Sequence, residues 1–355
     1  GTRMKRHLIM KIGVLAILLI MLNVVGCSRG AETGDETEVI ELTFAHPFPA
    51  THHHHVDIIM PFVEEIMEKS EGRIKINVHP GGSITTGTSA IDDISTGAVD
   101  MTWTLQGYTP GRFPLTEMFE FFGHFTSGEE ATRVAWALFE QSEAFREEYK
   151  DFKVFNLYFS DVSDVYLATK PVRTPDDLVG VKLRSASPMV DRSLAKFGAT
   201  TAGMPMPETY DNIERGVVEG LATGASAIPT YKLYEVLKYG TEGMNLYVSP
   251  QVMAISWNAW NKLSPKDQEL FETIGCETLS IKSGQYYDAL HDGAVKEMEE
   301  KGMEIYRLTD ADRALFAEKA APVVEEYIAE LEAKGYAARE FYELMVSIRD
   351  SLRNQ

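Results

Sequence analysis

Apolar residues recur along this chain with changing spacing, and the changes mark out its elements. The first apolar block is continuous: Ile12 to Val25, interrupted only by Gly13 and Asn23. Its length of about 14 residues falls short of the ~20 that a bilayer-crossing helix needs and matches a signal-peptide core. Polar and acidic positions then dominate from Ser28 to Glu38, which reads as a flexible tether. From Val39 to Ala45 the pattern partly alternates and predicts a strand. Between Val56 and Lys69 the residues Ile58, Ile59, Phe62, Val63, Ile66 and Met67 return at helical spacing. Ile74, Ile76 and Val78 alternate again as a strand over 73–79, and Gly81-Gly82 turn the chain. A helix over 89–97 and a strand over 99–103 follow.

A second block of the same kind occupies 152–245. Strand patterns at 153–159 and 165–168 lead into Pro171-Val172-Arg173-Thr174-Pro175-Asp176-Asp177-Leu178. There Thr174 can cap a short helix with Pro175 in its first position and acids in its first turn. Gly180 ends that helix, and 181–184 is a short strand. From Asp310 onward the pattern is helical with mixed charge. Strands alternating with helices over roughly 300 residues predict an α/β fold with crossover connections, and that length exceeds one comfortable core, so two lobes are expected. No repeat of 20–50 residues is present, which argues against a solenoid.

Charge narrows the partners. The formal net charge is −19, and the segment before Cys27 carries four basic residues and no acid. The remainder therefore has 30 basic against 53 acidic residues, a net −23. Such a surface repels nucleic acid and anionic membrane. An anionic ligand would need a sheltered local cation.

Cys27 and Cys276 are the two cysteines, so neither a disulfide scaffold nor a cysteine-rich zinc site is available. Lys5, Arg6 and Lys11 precede the apolar run, which ends in Val24-Val25-Gly26-Cys27. This arrangement resembles the lipobox of bacterial lipoproteins. It implies a signal peptide over 4–26, cleavage before Cys27, lipidation of Cys27, and membrane contact through that lipid alone. Cys276, in an amphipathic stretch, reads as a small buried residue.

Catalytic signatures are missing: there is no Gly-x-Ser-x-Gly, no Walker loop, no Gly-x-Gly-x-x-Gly after a strand and no His-Glu-x-x-His. An enzyme is not expected, nor any cofactor. The run His52-His53-His54-His55 suggests metal, but consecutive residues at a helix start point in different directions. No cysteine or acid at ligand spacing completes a set. One or two of these histidines are expected to cap the helix or face a cleft, with the rest solvated, and no metal is assigned.

Three segments carry a family resemblance: Leu178-Val179-Gly180-Val181-Lys182-Leu183-Arg184, Met204-Pro205-Met206-Pro207-Glu208-Thr209-Tyr210, and Gly216-Val217-Val218-Glu219-Gly220. Phe44-Ala45-His46-Pro47, Pro80-Gly81-Gly82, Thr96-Gly97-Ala98-Val99-Asp100, Lys232-Leu233-Tyr234-Glu235-Val236 and Trp260-Asn261-Lys262-Leu263-Ser264-Pro265 agree in order and spacing. Together they resemble the DctP-type substrate-binding subunits of tripartite ATP-independent periplasmic (TRAP) transporters, from about residue 40 to the C-terminus. The resemblance implies the two-lobe periplasmic solute-binding fold, with a cleft between lobes and a long connecting helix. Its lobe boundaries carry over as 38–161 plus 249–290 for the first, and 162–248 plus 291–355, with the terminal helices, for the second. It further implies capture of an organic acid and delivery to TRAP membrane permease subunits. A monomer is expected, in the periplasm or on the outer face of the cytoplasmic membrane. A sensory receptor as partner, a sugar acid or dicarboxylate as cargo, and an ATP-driven transporter are the alternatives.

The same resemblance places Arg184 at the position that takes the ligand carboxylate. Guanidinium suits that task because its planar fork matches a carboxylate and its charge is not lost by deprotonation. Leu105 and Tyr108 stand where acidic-sugar binders carry charged groups, and Asp164 stands where they carry a second arginine. Met206 occupies a frequent aromatic position and Thr223 a frequent asparagine. Fewer fixed charges suit a monocarboxylate with an apolar or aromatic body. Leu105 and Met206 read equally well as core residues. His46, Phe48, Trp103 and Trp257 complete the candidate ligand set, although each aromatic taken singly reads as core before contact.

Overall fold

The computed structural model describes residues 38–355; the apolar run at 12–25, Cys27 and nearly all of the 28–38 segment lie outside the described residues. Its first sheet contains β1 (Ile40–Ala45), β2 (Ile74–His79), β3 (Met101–Leu105), β4 (Phe152–Phe159) and β10 (Pro250–Ser256), in the order β2-β1-β3-β10-β4. β1 runs parallel to β2 and β3, whereas β10 is antiparallel to both β3 and β4. The second sheet contains β5 (Ser163–Leu167), β6 (Lys182–Ser185), β7 (Thr200–Gly203), β8 (Gly220–Gly224), β9 (Tyr239–Glu242) and β11 (Glu304–Arg307), in the order β11-β9-β5-β8-β6-β7. This mixed α/β architecture is the expected fold class.

The chain passes from the first sheet to the second between β4 and β5, and returns between β9 and β10. β10 is therefore inserted between strands laid down much earlier in sequence, a non-local pairing that no local pattern announces. β4 and β10 are buried along almost their whole length. Helices cover both faces of the first sheet, so these strands read as continuous apolar runs rather than alternations.

The helices follow the predicted periodicities closely. α1 (Met60–Lys69) buries Phe62, Val63 and Ile66, and is entered through a π-type turn at His55–Ile59. α2 spans Ala90–Thr96 and closes on Gly97 at φ 77°, the left-handed conformation that glycine adopts without a Cβ clash. α3 (Gly128–Gln141) is capped by the Ser127 hydroxyl, and α4 (Pro188–Lys196) by the Ser187 hydroxyl with Pro188 in its first turn. Thr174 and Asp177 form the capping box foreseen at Pro175–Leu178, which winds as a short 3-10 turn.

α5 (Pro265–Ile274) leads into α6 (Cys276–Glu300), the longest helix among the described residues. Its first half packs on β4 and α3. Its last turns place Ala294, Val295 and Met298 in a cluster with Tyr166 and Leu221 of the second sheet. One rigid element thus touches both lobes. Cys276 opens α6 half-buried rather than fully buried, with its thiol pushed up to about 11 by burial.

The terminal helices divide, and here the expectation that everything after 290 joins the second lobe needs correction. α7 (Asp310–Ala320) puts Phe316 and Ala320 into the second lobe's core. α8 (Pro322–Ala333) and α9 (Ala338–Arg353) instead bury Val323, Tyr327, Phe341 and Met345 against Phe113, Phe119 and Phe145 beside the first sheet. The apolar stripe of α9 finds a match there and not on the second sheet.

The lobes approach closely at Gly107, where a Cβ would stand 2.3 Å from the backbone oxygen of Ala186. Only glycine lets the loop after β3 come that near to the segment after β6.

Candidate functional site

Arg184 lies on β6, one strand in from the edge of the second sheet, registered against Ala202 of β7 and Leu221 of β8. Its side chain is 1% exposed. Nε donates to the Met204 carbonyl at 3.0 Å and Nη2 donates to the Tyr108 hydroxyl at 3.2 Å. Among the described residues, no carboxylate lies within ion-pair distance of it. A buried guanidinium without an acid is costly unless something anionic completes it.

Tyr108 ties this arginine to the first lobe. Its hydroxyl oxygen accepts from Arg184 and from the Met206 backbone N–H at 2.9 Å. Burial pushes the phenol pKa up, outweighing the nearby arginine, so the group stays protonated. With both incoming bonds accepted by the oxygen, the phenolic proton remains free to be donated onward.

Around Arg184 the lobes form a cavity of about 50 Å³. The first lobe supplies Phe48, His52, His53, Trp103, Leu105 and Tyr108; the second supplies Arg184, Met206, Thr223, Ser226 and Tyr231. Asp161 from the β4–β5 crossing, Ser249 and Gln251 from the return crossing, and Tyr287 from α6 close the remainder. Among the described residues, Arg184 is the single Lys or Arg side chain lining the cavity.

The aromatic wall is built in layers. Phe48 and Trp103 lie with ring centroids 4.1 Å apart, and Trp103 Nε1 donates to Gln251 Oε1 at 3.0 Å. That same oxygen accepts from the Tyr158 hydroxyl at 2.6 Å. Behind them His46 Nδ1 accepts from the Phe48 backbone N–H at 3.2 Å, so Nε2 carries the proton donated to His55 Nδ1 at 2.8 Å. Burial and the neighbouring His55 hold His46 down at about 3, a neutral imidazole.

Of the four consecutive histidines, His52 and His53 face the cavity as expected of one or two of them, with His53 half-buried, whereas His54 and His55 are buried rather than solvated. His52 is 6%, His54 0% and His55 8% exposed. They fan out at the entry to the π-type turn, and every direction meets protein. His52 packs edge-on to Trp103 and to Tyr231, His53 against Tyr287, His54 on Tyr158, and His55 on His46. His52 and His53 line the cavity, while His54 and His55 support it from behind.

A second charged cluster stands beside the cavity. Asp161 accepts from the Ser226 hydroxyl at 2.6 Å, from the Ser226 backbone N–H at 3.1 Å and from His291 Nδ1 at 2.9 Å. His291 Nε2 donates to Glu242 Oε1 at 2.7 Å. Burial opposes the imidazolium, but the hydrogen bonds and charges of Asp161 and Glu242 outweigh it and push the pKa up to about 11. Asp164, Glu242 and His291 bring ligand-type atoms within 4.8 Å of one another, the geometry of a possible metal group. Both imidazole nitrogens are already spent on carboxylates, so the arrangement works as an ion-paired network as it stands.

Of the residues singled out from sequence, Arg184, Met206, Thr223, Tyr108, Leu105, Trp103 and Phe48 line one cavity. Three do not. His46 sits one layer behind. Asp164 is 1% exposed and turns Oδ1 to the backbone N–H groups of Met244 and Asn245 at 2.7 and 3.2 Å, which makes it a loop anchor; burial and then Glu242 raise it to about 7. Trp257 is 40% exposed, donates Nε1 to the Lys150 carbonyl at 2.6 Å, and lines a separate surface depression with Cys276. Sequence reasoning missed Asp161, Ser226, Tyr231, Ser249, Gln251 and Tyr287. Only Ser160-Asp161-Val162-Ser163, a polar break between two strand patterns, offered a local signal.

Comparison with known proteins places these features. Residues 44–331 match the family model described as bacterial extracellular solute-binding protein, family 7. The C4-dicarboxylate-binding periplasmic protein DctP of Rhodobacter capsulatus is 25% identical over 284 residues, covering 78% of this chain and 83% of that protein. A TRAP periplasmic solute-binding protein from Bordetella bronchiseptica, solved with bound (R)- and (S)-mandelate, superposes with a TM-score of 0.80 at 25% identity, over 88% of this chain and 99% of that one. One from Rhodoferax ferrireducens, in complex with copurified benzoate, superposes with a TM-score of 0.84 at 23% identity, over 88% and 98% of the two chains.

Proposed function

Because the chain belongs to the bacterial extracellular solute-binding protein family 7, the DctP-type substrate-binding proteins of TRAP transporters, we propose that it captures a small monocarboxylate with an apolar or aromatic body for a TRAP permease. The observation that carries this reading is Arg184, a buried cation facing a cavity between the lobes with no acid among the described residues to neutralise it. A ligand carboxylate supplies the missing charge, and the guanidinium fork holds both of its oxygens.

One fixed cation argues for one carboxylate. The nearest other charge lining the cavity is Asp161, an anion already bonded to Ser226 and His291, which disfavours a second acid on the ligand. Leu105, Met206, Phe48 and Trp103 offer an apolar slot rather than the polar cage a sugar acid would require. The mandelate and benzoate held by the two solved proteins of this fold support an aromatic monocarboxylate; the dicarboxylate of the Rhodobacter protein is the rival cargo. The sequence ending at Cys27 supports export and lipid anchoring at that residue. Cys27→Ala is expected to release the protein from membranes, as fractionation would read.

A thermal-shift screen of small organic acids against their primary amides tests the cargo class. Free acids are expected to raise the midpoint in proportion to affinity and concentration, and amides to leave it unmoved. Equal shifts from acids and amides would remove the carboxylate clamp. A larger shift from C4-dicarboxylates than from any monocarboxylate would replace the cargo while keeping the clamp.

A further inference from the structure

The wall built by His52, His53 and Tyr231 has hydrogen-bonding capacity that the protein does not use. His52 Nδ1 accepts the His54 backbone N–H at 3.1 Å, which leaves the proton on Nε2, a donor with no protein acceptor among the described residues. His53 leaves Nδ1 buried and without a partner among the described residues, and so does the Tyr231 hydroxyl. All three residues line the cavity. They form one group: the His52 ring centroid is 4.4 Å from that of His53 and 5.6 Å from that of Tyr231. Most buried polar groups in folded proteins are satisfied, so two buried unmet atoms, at His53 and Tyr231, beside the free His52 donor on one cavity wall call for an explanation.

We propose that this wall recognises an uncharged hydroxyl substituent on the ligand body, so that the cargo is a hydroxylated aromatic monocarboxylate rather than the bare aromatic acid. The proposal rests on the carboxylate reading of Arg184 and adds a second point of recognition. A hydroxyl both donates and accepts, and the wall presents a fixed donor at His52 Nε2 together with an amphoteric phenol at Tyr231. A second carboxylate would meet only neutral groups there: burial, first of all, holds His52 well below its ordinary value and His53 at about 4, so neither imidazole brings a positive charge at neutral pH. An unsubstituted ring would bury these groups without compensation, and sites built to bond a hydroxyl discriminate strongly against analogues lacking it.

Isothermal titration of the purified protein with benzoate, its 3- and 4-hydroxy derivatives and their methoxy counterparts tests this directly. At least one hydroxybenzoate is expected to bind about 10-fold or more tightly than benzoate, and its methoxy counterpart to lose that gain. Tyr231→Phe removes one oxygen while keeping the ring. It is expected to shrink the ratio of hydroxybenzoate to benzoate affinity severalfold and to keep the thermal midpoint. His53→Phe provides an independent second variant with the same expected pattern. Benzoate binding as tightly as every hydroxylated analogue would overturn the proposal while leaving the Arg184 clamp standing. A preference unchanged in both variants would overturn it equally, since another wall would then read the hydroxyl. Failure of every aromatic acid to bind, with aliphatic acids still binding, would remove this proposal alone; failure of every acid would remove both readings.

Discussion

Two sheltered cations, Arg184 and His291, stand in and beside the cavity, and they differ in how their charge is met. His291 is held between two carboxylates, Asp161 at 2.9 Å and Glu242 at 2.7 Å, so its charge is neutralised from within the fold. Arg184 is more deeply buried, yet its protein partners are a backbone carbonyl and a phenol, neither of them charged. A protein that needed Arg184 only for packing would gain by supplying an acid or by replacing the arginine with an apolar side chain. The contrast separates an ion pair that shapes the molecule from a charge that awaits its counterion outside the chain.

The largest expected effect breaks the Arg184 half of that contrast. Arg184→Ala should weaken carboxylate binding by about 1,000-fold, the scale of removing one partner from a buried, hydrogen-bonded charge pair (~4 kcal/mol), as calorimetry would read. Arg184→Lys keeps the charge but loses the fork, and about 30-fold weakening is expected. An unchanged dissociation constant in Arg184→Ala would mean that the ligand is held elsewhere.

His291→Gln attacks the other half and should move stability rather than the chemistry of recognition. Removing the imidazolium leaves Asp161 and Glu242 facing each other, and about 3 kcal/mol of destabilisation is expected in denaturant titrations. The pH dependence has a definite sign. The folded pKa of about 11 lies above the ordinary 6.5, so the stabilisation is complete below about pH 6.5 and declines as pH rises toward 11. Between pH 8 and 10.5, above the range in which Asp164 titrates at about 7, wild type should lose stability more steeply than His291→Gln. Parallel curves would show that His291 is neutral in the folded protein.

How far this contrast could be read beforehand depends on the range of the interactions involved. Helices α1 and α2 and strands β2 and β4 followed from apolar spacing because their burial is periodic and local. Arg184 was legible through the motif around it. Its lack of an acid was not, since that depends on which side chains the β4–β5 and β9–β10 crossings bring together. The histidine run shows the same limit. Four polar residues in a row suggest solvent, and only the packing of Tyr231, Tyr287, Trp103 and Tyr158 around one helix start buries three of them and half-buries His53. Asp161 and Glu242 lie far from His291 in sequence, so no spacing rule could have paired them.

Tyr108→Phe sharpens the comparison at an intermediate scale. Among the described residues the phenol is the one side chain hydrogen-bonded to Arg184, and it also receives the Met206 N–H, so its oxygen joins the two lobes at the cation. Losing it leaves an arginine N–H and a backbone N–H without an acceptor. About 10-fold weaker binding is expected, with the acid-over-amide preference retained. Loss of that preference would assign the carboxylate to Tyr108 rather than to Arg184.

The smallest expected effect is at Trp257, where an aromatic near a lobe crossing looked like a cleft residue. It stands just past the end of β10, with its indole N–H donated to the Lys150 carbonyl and 40% of its surface in solvent. Gln251, near the other end of the same strand, reaches the cavity and receives Trp103. β10 thus presents a cavity residue near one end and a surface aromatic beyond the other. Trp257→Phe should therefore leave the dissociation constant within about 2-fold and cost about 1 kcal/mol of stability for the lost hydrogen bond. A 10-fold loss of affinity would require the depression shared by Trp257 and Cys276 to communicate with Arg184 along β10, and the cavity would then have to be treated as coupled to the far face of the first sheet.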